Sequence, residues 1–149
     1  MNHKKVQRLM RTLGLQVRSR KSKKFTTYRG TIGGIAPNHL ERDFSATAPK
    51  QKWVTDITEF KAKDGSKVYL SPILDLFNNE IVSYNLSYSP NWAQVEDMLM
   101  QAVKGLNKAC GVILHSDQGW QYQMVAYPRI LAEHGIIQSM SRKGNCLNN

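Results

Sequence analysis

Two aspartates stand apart from the other acids of this chain by where the sequence puts them. Asp56 lies inside QKWVTDITEF, a β-rich run, and Asp117 ends the short apolar run GVILHSD, 61 positions later. A carboxylate set in or at the end of a central strand is costly unless its charge is used. If the two strands are neighbours, their carboxylates converge. Two carboxylates without a sulfur or imidazole cluster beside them suit a hard, oxygen-seeking ion such as Mg2+ or Mn2+. That is the arrangement of two-metal phosphoryl chemistry, in which ions about 4 Å apart clamp the attacking and leaving oxygens. Spacing alone leaves two plainer readings open: Asp56 as a hydrogen-bonded strand acid, and Asp117 as an acid capping a turn or helix.

The elements that must position this pair follow from periodicity and turn chemistry. From Gln51, QKWVTDITEFKA reads as a central strand carrying Asp56 in its middle, with Val54 and Thr58 on the same face. Asp64-Gly65 is a hairpin turn, Lys67–Phe77 a second strand, and Asn78-Asn79 a second turn into a strand over Glu80–Tyr88. Ser89 and Pro90 suit the cap and first turn of a helix that runs through Val95, Met98, Leu99, Ala102 and Leu106. GVILHSD is a buried fourth strand. A helix over Val125–Glu133 tolerates Pro128 in its first turn and ends at His134-Gly135, and IIQSM is a fifth strand. The order βββαβαβ implies an α/β fold, with a mixed sheet and helices packed on it.

Charge adds a partner. The 149 residues carry 21 Lys and Arg against 11 Asp and Glu, a formal net charge of +10, and the asymmetry is local. Residues 1–40 hold Lys4, Lys5, Arg8, Arg11, Arg18, Arg20, Lys21, Lys23, Lys24 and Arg29 and no acid, while residues 41–149 balance to zero. Cations so concentrated repel one another unless a polyanion meets them, so this arm is expected to contact a phosphate backbone rather than to be a solvated tail. Within it, Asn2 can cap a helix over His3–Leu13 whose apolar face is Val6, Leu9, Met10 and Leu13, with Gly14 as its stop. A lone helix of that length is marginal and suits half of a helix-turn-helix unit. The chain thus divides into a DNA-binding remnant over 1–15, a basic linker over 16–50 and a core over 51–149. No apolar run is long enough for a membrane span and no secretory signal is visible, which leads to the expectation of a cytoplasmic protein. Cys110 and Cys146 read as reduced bystanders.

The local strings add a family. QKWVTDITEF, LSPILDLFNNEIVSYNLS and LHSDQGWQY, in that order, closely resemble the catalytic domain of bacterial insertion-sequence OrfB transposases. These belong to the DDE transposase and retroviral integrase superfamily, with a ribonuclease H-like fold. IIQSMSRKGNCLNN resembles that family's run toward its third acid, and HKKVQRLMRTLGL the last helix of its helix-turn-helix segment. The resemblance implies that Asp56 and Asp117 are the first two metal-binding aspartates, with Mg2+ or Mn2+ as cofactor. It implies double-stranded DNA, at transposon ends and target, as partner. The family's third ligand, a glutamate, falls four positions past Asn149, and no acid follows Glu133. Asn148 stands where the family usually has Asp. The expectation is a core that lacks its last helices, binds DNA without cutting it, and associates with itself or with full-length transposase. The alternative is a non-catalytic DNA-binding remnant.

Other residues have smaller expected roles. Trp53 and Thr55 read as packing residues, Glu59 as a solvated acid and Asp75 as a turn acid. His115 and Ser116 are placed to orient a neighbour. Gly119 is expected to supply backbone freedom. Gln118, Trp120 and Tyr122 suit either DNA contact or burial. Arg142 and Lys143 suit phosphate contact. His3, His39 and His134 have no metal-ligand spacing.

Overall fold

A computed structural model describes residues 3–14, 33–106 and 111–142. Helix α1 spans His3–Thr12, and Gly14 follows it in the left-handed region that a glycine enters without strain. The strands are β1 (Lys52–Thr55), β2 (Thr58–Lys61), β3 (Lys67–Asp75), β4 (Ile81–Ser87), β5 (Ile113–Ser116) and β6 (Ile137–Met140). Helix α2 (Trp92–Val103) lies between β4 and β5; a 3-10 turn (Trp120–Gln123) and helix α3 (Ala126–Glu133) lie between β5 and β6. All six strands form one mixed sheet. β3 pairs antiparallel with β1, β2 and β4, whereas β1 pairs parallel with β5 and β5 parallel with β6. The βββαβαβ order read from the sequence stands, with its first strand drawn as two pieces.

That division has a local cause. Thr55 pairs with Ile73 and Thr58 with Leu70, so β1 and β2 follow one register along β3, and the two residues left out are Asp56 and Ile57. By that register Asp56 faces Pro72. The Leu76 amide donates to the Lys52 carbonyl at 3.0 Å, and every second residue of β3 turns its nitrogen the same way, which aims the nitrogen of Pro72 at Asp56. Proline has no hydrogen to give, and the ladder breaks there. Asp56 therefore lies just beyond the end of β1, not in the middle of a strand. A second correction concerns α2. Its cap is Asn91, whose side chain accepts the Gln94 N–H at 3.0 Å, and neither Ser89 nor Pro90 belongs to the helix.

One face of the sheet carries the core. Trp53, Ile73, Leu114 and Met140 point to α2 and α3 and meet Val95, Met98 and Leu99 from the first and Tyr127 and Leu131 from the second, all essentially inaccessible to solvent. Val95, Met98, Leu99 and Ala102 recur at helical spacing and bury one stripe of α2. Trimming any of the large ones to alanine costs about 2–5 kcal/mol.

The opposite face is crossed by residues 33–50, the described part of the segment read as a linker. This strap is fastened at several points. Leu40 is buried, the His39 amide donates to Ser139 Oγ at 2.9 Å, and the Met140 amide donates to the Pro37 carbonyl at 3.3 Å. Nearer β1, Lys52 Nζ holds both the carbonyl and the carboxylate of Asp43 at 2.8 Å.

Candidate functional site

The parallel pairing of β1 with β5 builds the site. Trp53 lies beside Leu114 and Val54 beside His115, so two steps further on Asp56 lies beside Asp117. Both acids follow the carboxyl ends of parallel strands, where ligands of open α/β sheets characteristically bind. Asp56 Oδ1 accepts the N–H of Ile57 and Asp117 Oδ1 accepts the N–H of Gly119, each at 2.8 Å. The second oxygen of each carboxylate has no hydrogen-bond partner among the described residues. Partial burial holds the Asp56 carboxyl above the usual carboxylate range; the Ile57 amide opposes this and the charge of Asp117 adds to it.

The pair stands on the divide between two cavities and lines both. The larger, about 620 Å³, lies on the strap side of the sheet and is bounded by Arg42, Phe44, Pro72, Leu74, His115 and Arg142 among others. The smaller, about 250 Å³, opens toward Glu59, Tyr69, Pro90, Gly119, Gln121 and Tyr122. Phe44 and Arg42 escaped the sequence reading. Nothing in ERDF marks them, because they reach the site only when the strap folds across the sheet.

Several neighbours support the pair without being ligands. His115 Nδ1 lies 2.9 Å from Ser139 Oγ, its ring meets Phe44 edge-on at 6.3 Å, and burial pushes its pKa down, so it anchors the strap as a neutral ring. Ser116 Oγ donates to the Asp117 carbonyl at 3.0 Å. Gln118 Nε2 donates to the Ser141 carbonyl at 2.9 Å, tying the loop after β5 to the loop after β6. Tyr122 is buried, beside the hydroxyls of Thr55 and Ser71, and burial pushes its pKa up. It is a core residue, and Trp120 is half-buried. Gly119 has φ −55°, which any residue adopts, so backbone freedom is not its contribution. A Cβ there would come within 2.9 Å of Asp117 Oδ1: what Gly119 supplies is room for the carboxylate.

The other acids have structural work. Asp75 is buried and accepts three hydrogen bonds, from the Lys50 amide at 2.7 Å, Trp53 Nε1 at 3.0 Å and the Phe77 amide at 2.9 Å. It fastens the β3–β4 turn, as read, and also the strap's end and the central tryptophan. Glu59 is exposed, and hydrogen bonds from Lys67 and Tyr69 hold its pKa down. His134 Nδ1 lies 2.9 Å from the Ile130 carbonyl, and the described His39 contact is through its backbone. Among the described residues no group of three or more His, Cys, Asp or Glu could hold a metal ion. Of the basic residues assigned to DNA, Lys4, Lys5, Arg8 and Arg11 are exposed on α1, and Arg142 is exposed at the larger cavity. Arg18, Arg20, Lys21, Lys23, Lys24 and Lys143, like Cys110 and Cys146, lie outside the described residues.

A mixed sheet with helices packed on it in this order has the fold of a retroviral integrase catalytic core. The HTLV-2 integrase catalytic core domain in complex with magnesium superposes with a TM-score of 0.56 at 20% identity, covering 65% of this chain and 63% of that one. A chain of the simian T-cell lymphotropic virus intasome in complex with PP2A regulatory subunit B56 gamma gives 0.56 at 18% identity, over 75% of this chain and 36% of that chain. These likenesses show the ribonuclease H-like fold. Residues 46–146 match the integrase core domain family. The whole chain is 60% identical to a transposase-like protein of Haemophilus influenzae, covering 68% of it, and 60% identical to the putative transposase InsK for insertion sequence element IS150 of Escherichia coli, covering 52%. A probable transposase for IS1353 of Shigella flexneri is 40% identical over 97% of this chain and 28% of its own length. The chain belongs to the integrase core domain family, among the insertion-sequence transposases of the DDE superfamily. It spans about half to two thirds of the first two relatives.

Proposed function

We propose that this chain carries two of the metal-binding acids of a DNA transposase, acting in DNA transposition and integration at insertion-sequence ends. The observation that carries the reading is the placement of Asp56 beside Asp117 at the ends of β1 and β5. The donor set fits a hard divalent ion, Mg2+ or Mn2+: it is all oxygen, each carboxylate keeps one oxygen free of hydrogen bonds among the described residues, and the charge of Asp117 raises the cost of ionising Asp56 until a cation meets them. When bound, such ions activate the attacking oxygen and stabilise the leaving one in cleavage and strand transfer. The chain's own residues do the positioning. Asp56 and Asp117 offer oxygens from a rigid sheet, Gly119 fixes the Asp117 carboxylate through its amide, and Ser116 and Gln118 brace the loop behind it.

The remaining assignments extend this reading. Residues 1–15 belong to a helix-turn-helix segment, and Lys4, Lys5, Arg8 and Arg11 of α1, with Arg18, Arg20, Lys21, Lys23, Lys24, Arg142 and Lys143, contact double-stranded DNA at transposon end and target. The chain associates with itself or with full-length transposase, and acts in the cytoplasm, on the nucleoid. Among the described residues no helix is long and apolar enough to cross a membrane.

A second reading for the 149-residue polypeptide is DNA binding without cleavage, because among the described residues no third acid joins Asp56 and Asp117. One experiment separates them. The polypeptide is titrated with Mn2+ by calorimetry and incubated with nicked and intact duplex DNA in Mn2+. Weak Mn2+ binding that disappears in Asp56→Asn and Asp117→Asn, with DNA bound in a salt-sensitive way and left uncut, is the expected result. Mn2+ binding indifferent to both substitutions would overturn the site. A nick that vanished with Asp56→Asn would overturn only the second reading.

A further inference from the structure

The larger cavity holds more than the acidic pair. Arg42 and Arg142 border it from opposite ends of the chain, one on the strap and one after β6, and among the described residues neither has an ion-pair partner. Neither forms an ion pair with Asp56 or Asp117 among the described residues. The guanidinium groups therefore leave the carboxylates free for a cation and remain free themselves for an anion. Phe44 lines the same cavity and is exposed, and its ring packs edge-to-face with that of His115. Pro72 and Leu74 make the floor apolar.

Arg42 is held there at a cost. Glu41 and Arg42 have φ of 46° and 70°, two consecutive non-glycine residues in the left-handed region. The turn keeps this form because its neighbours are fastened: Leu40 is buried, Asn38 Oδ1 accepts the Glu41 amide at 3.1 Å, the Asp43 amide donates to the Leu40 carbonyl at 2.7 Å, and Lys52 of β1 grips Asp43. The grip comes from β1, the strand that ends just before Asp56. An unpaired cation, an aromatic face and the acidic pair are thus set in one rigid frame.

We infer that this cavity seats the DNA strand next to the acidic pair, with one nucleotide drawn out of the stack, its base against Phe44 and its flanking phosphates held by Arg42 and Arg142. Cations tracking the backbone beside an aromatic platform are the means by which proteins hold single strands without reading their sequence. At about 620 Å³ the cavity lies within the range of small-molecule sites, ample for one nucleotide. The inference rests on the proposed DNA chemistry and deepens it, since it says which side of the acidic pair the unpaired strand takes.

The test is the affinity of the 149-residue chain for a short fluorescent oligothymidylate, measured by anisotropy over a range of salt, with the matching duplex as a second probe. Arg42→Gly removes the guanidinium while relieving the left-handed strain, so a melting temperature no lower than wild type would exclude misfolding. It is expected to weaken oligothymidylate binding severalfold and to lower the salt slope by about 0.7, the share of one phosphate on a single strand. Phe44→Ala is expected to weaken it about fivefold or more, with the slope unchanged. Arg129→Ala, at a surface pair with Glu133 bordering neither cavity, is the control and should bind as wild type. If Arg42→Gly and Phe44→Ala bind the oligothymidylate as tightly as wild type, the seat is overturned while the DNA reading stands. If wild type binds neither the oligothymidylate nor the duplex, both fall.

Discussion

Asp56 and Asp117 occupy the same rung of two parallel strands. The offset of 61 that pairs Val54 with His115 is also the separation of the two acids, so each stands one residue beyond its strand and faces the other across the sheet. The separation in sequence, which by itself says little, is the register itself.

Gly119 should be intolerant of even one added carbon, for reasons of space. Its φ of −55° suits alanine, but the new Cβ would lie 2.9 Å from Asp117 Oδ1 and 3.3 Å from Tyr122 Cδ2. The Asp117 carboxylate must turn away. Gly119→Ala is expected to keep its melting temperature within a few degrees and to lose Mn2+ affinity by about tenfold, roughly 1.4 kcal/mol. Unchanged Mn2+ affinity by calorimetry would show that the carboxylate's present orientation is not the binding one.

Pro72 should control where Asp56 stands. Pro72→Ala returns the missing amide hydrogen to the side of β3 that faces β1 and β2, and the ladder can then close through Asp56. Hydrogen exchange at the amide of residue 72 should be slow in this variant, and Mn2+ should bind severalfold more weakly as Asp56 is drawn into the strand. Rapid exchange at that amide with undiminished Mn2+ binding would mean that something other than the proline opens the strand.

Asp75 is the acid whose loss should harm the fold and spare the site. Asp75→Ala leaves the Lys50 amide, Trp53 Nε1 and the Phe77 amide without their acceptor. Unsatisfied donors and a lost carboxylate together should cost about 2–4 kcal/mol. For a protein of this size that lowers the melting temperature by about 5–15 °C. Below the transition, Mn2+ affinity should match wild type; a parallel loss of metal binding would place Asp75 in the site.

How much of this was legible in the sequence depends on how far each cause lies from its effect. The order of strands and helices came from short-range signals, the apolar spacing of Val95, Met98, Leu99 and Ala102 and the turns at Asp64-Gly65 and Asn78-Asn79. Asp56 and Asp117 stood out by their places on strands, but spacing left plainer roles open, and it was the strings around them, similar to a family's, that favoured metal binding. The break after Thr55 was illegible, since its cause, Pro72, faces Asp56 only in the folded register. The start of α2 turned on a choice between capping side chains two residues apart, which the chain settles for Asn91. Arg42 and Phe44 were beyond reach. Their place is decided by contacts between the strap and β6 that no local pattern records.

Those same contacts set a sequence of events. The bond from the His39 amide to Ser139 Oγ joins residues a hundred positions apart, and Pro37 meets Met140 in the same way. Contacts so distant along the chain close late, after the loop entropy between them has been overcome. The paired aspartates need only β1 and β5, but the larger cavity needs the last strand to arrive and fasten the strap. During synthesis the acids would meet before the chamber beside them takes shape.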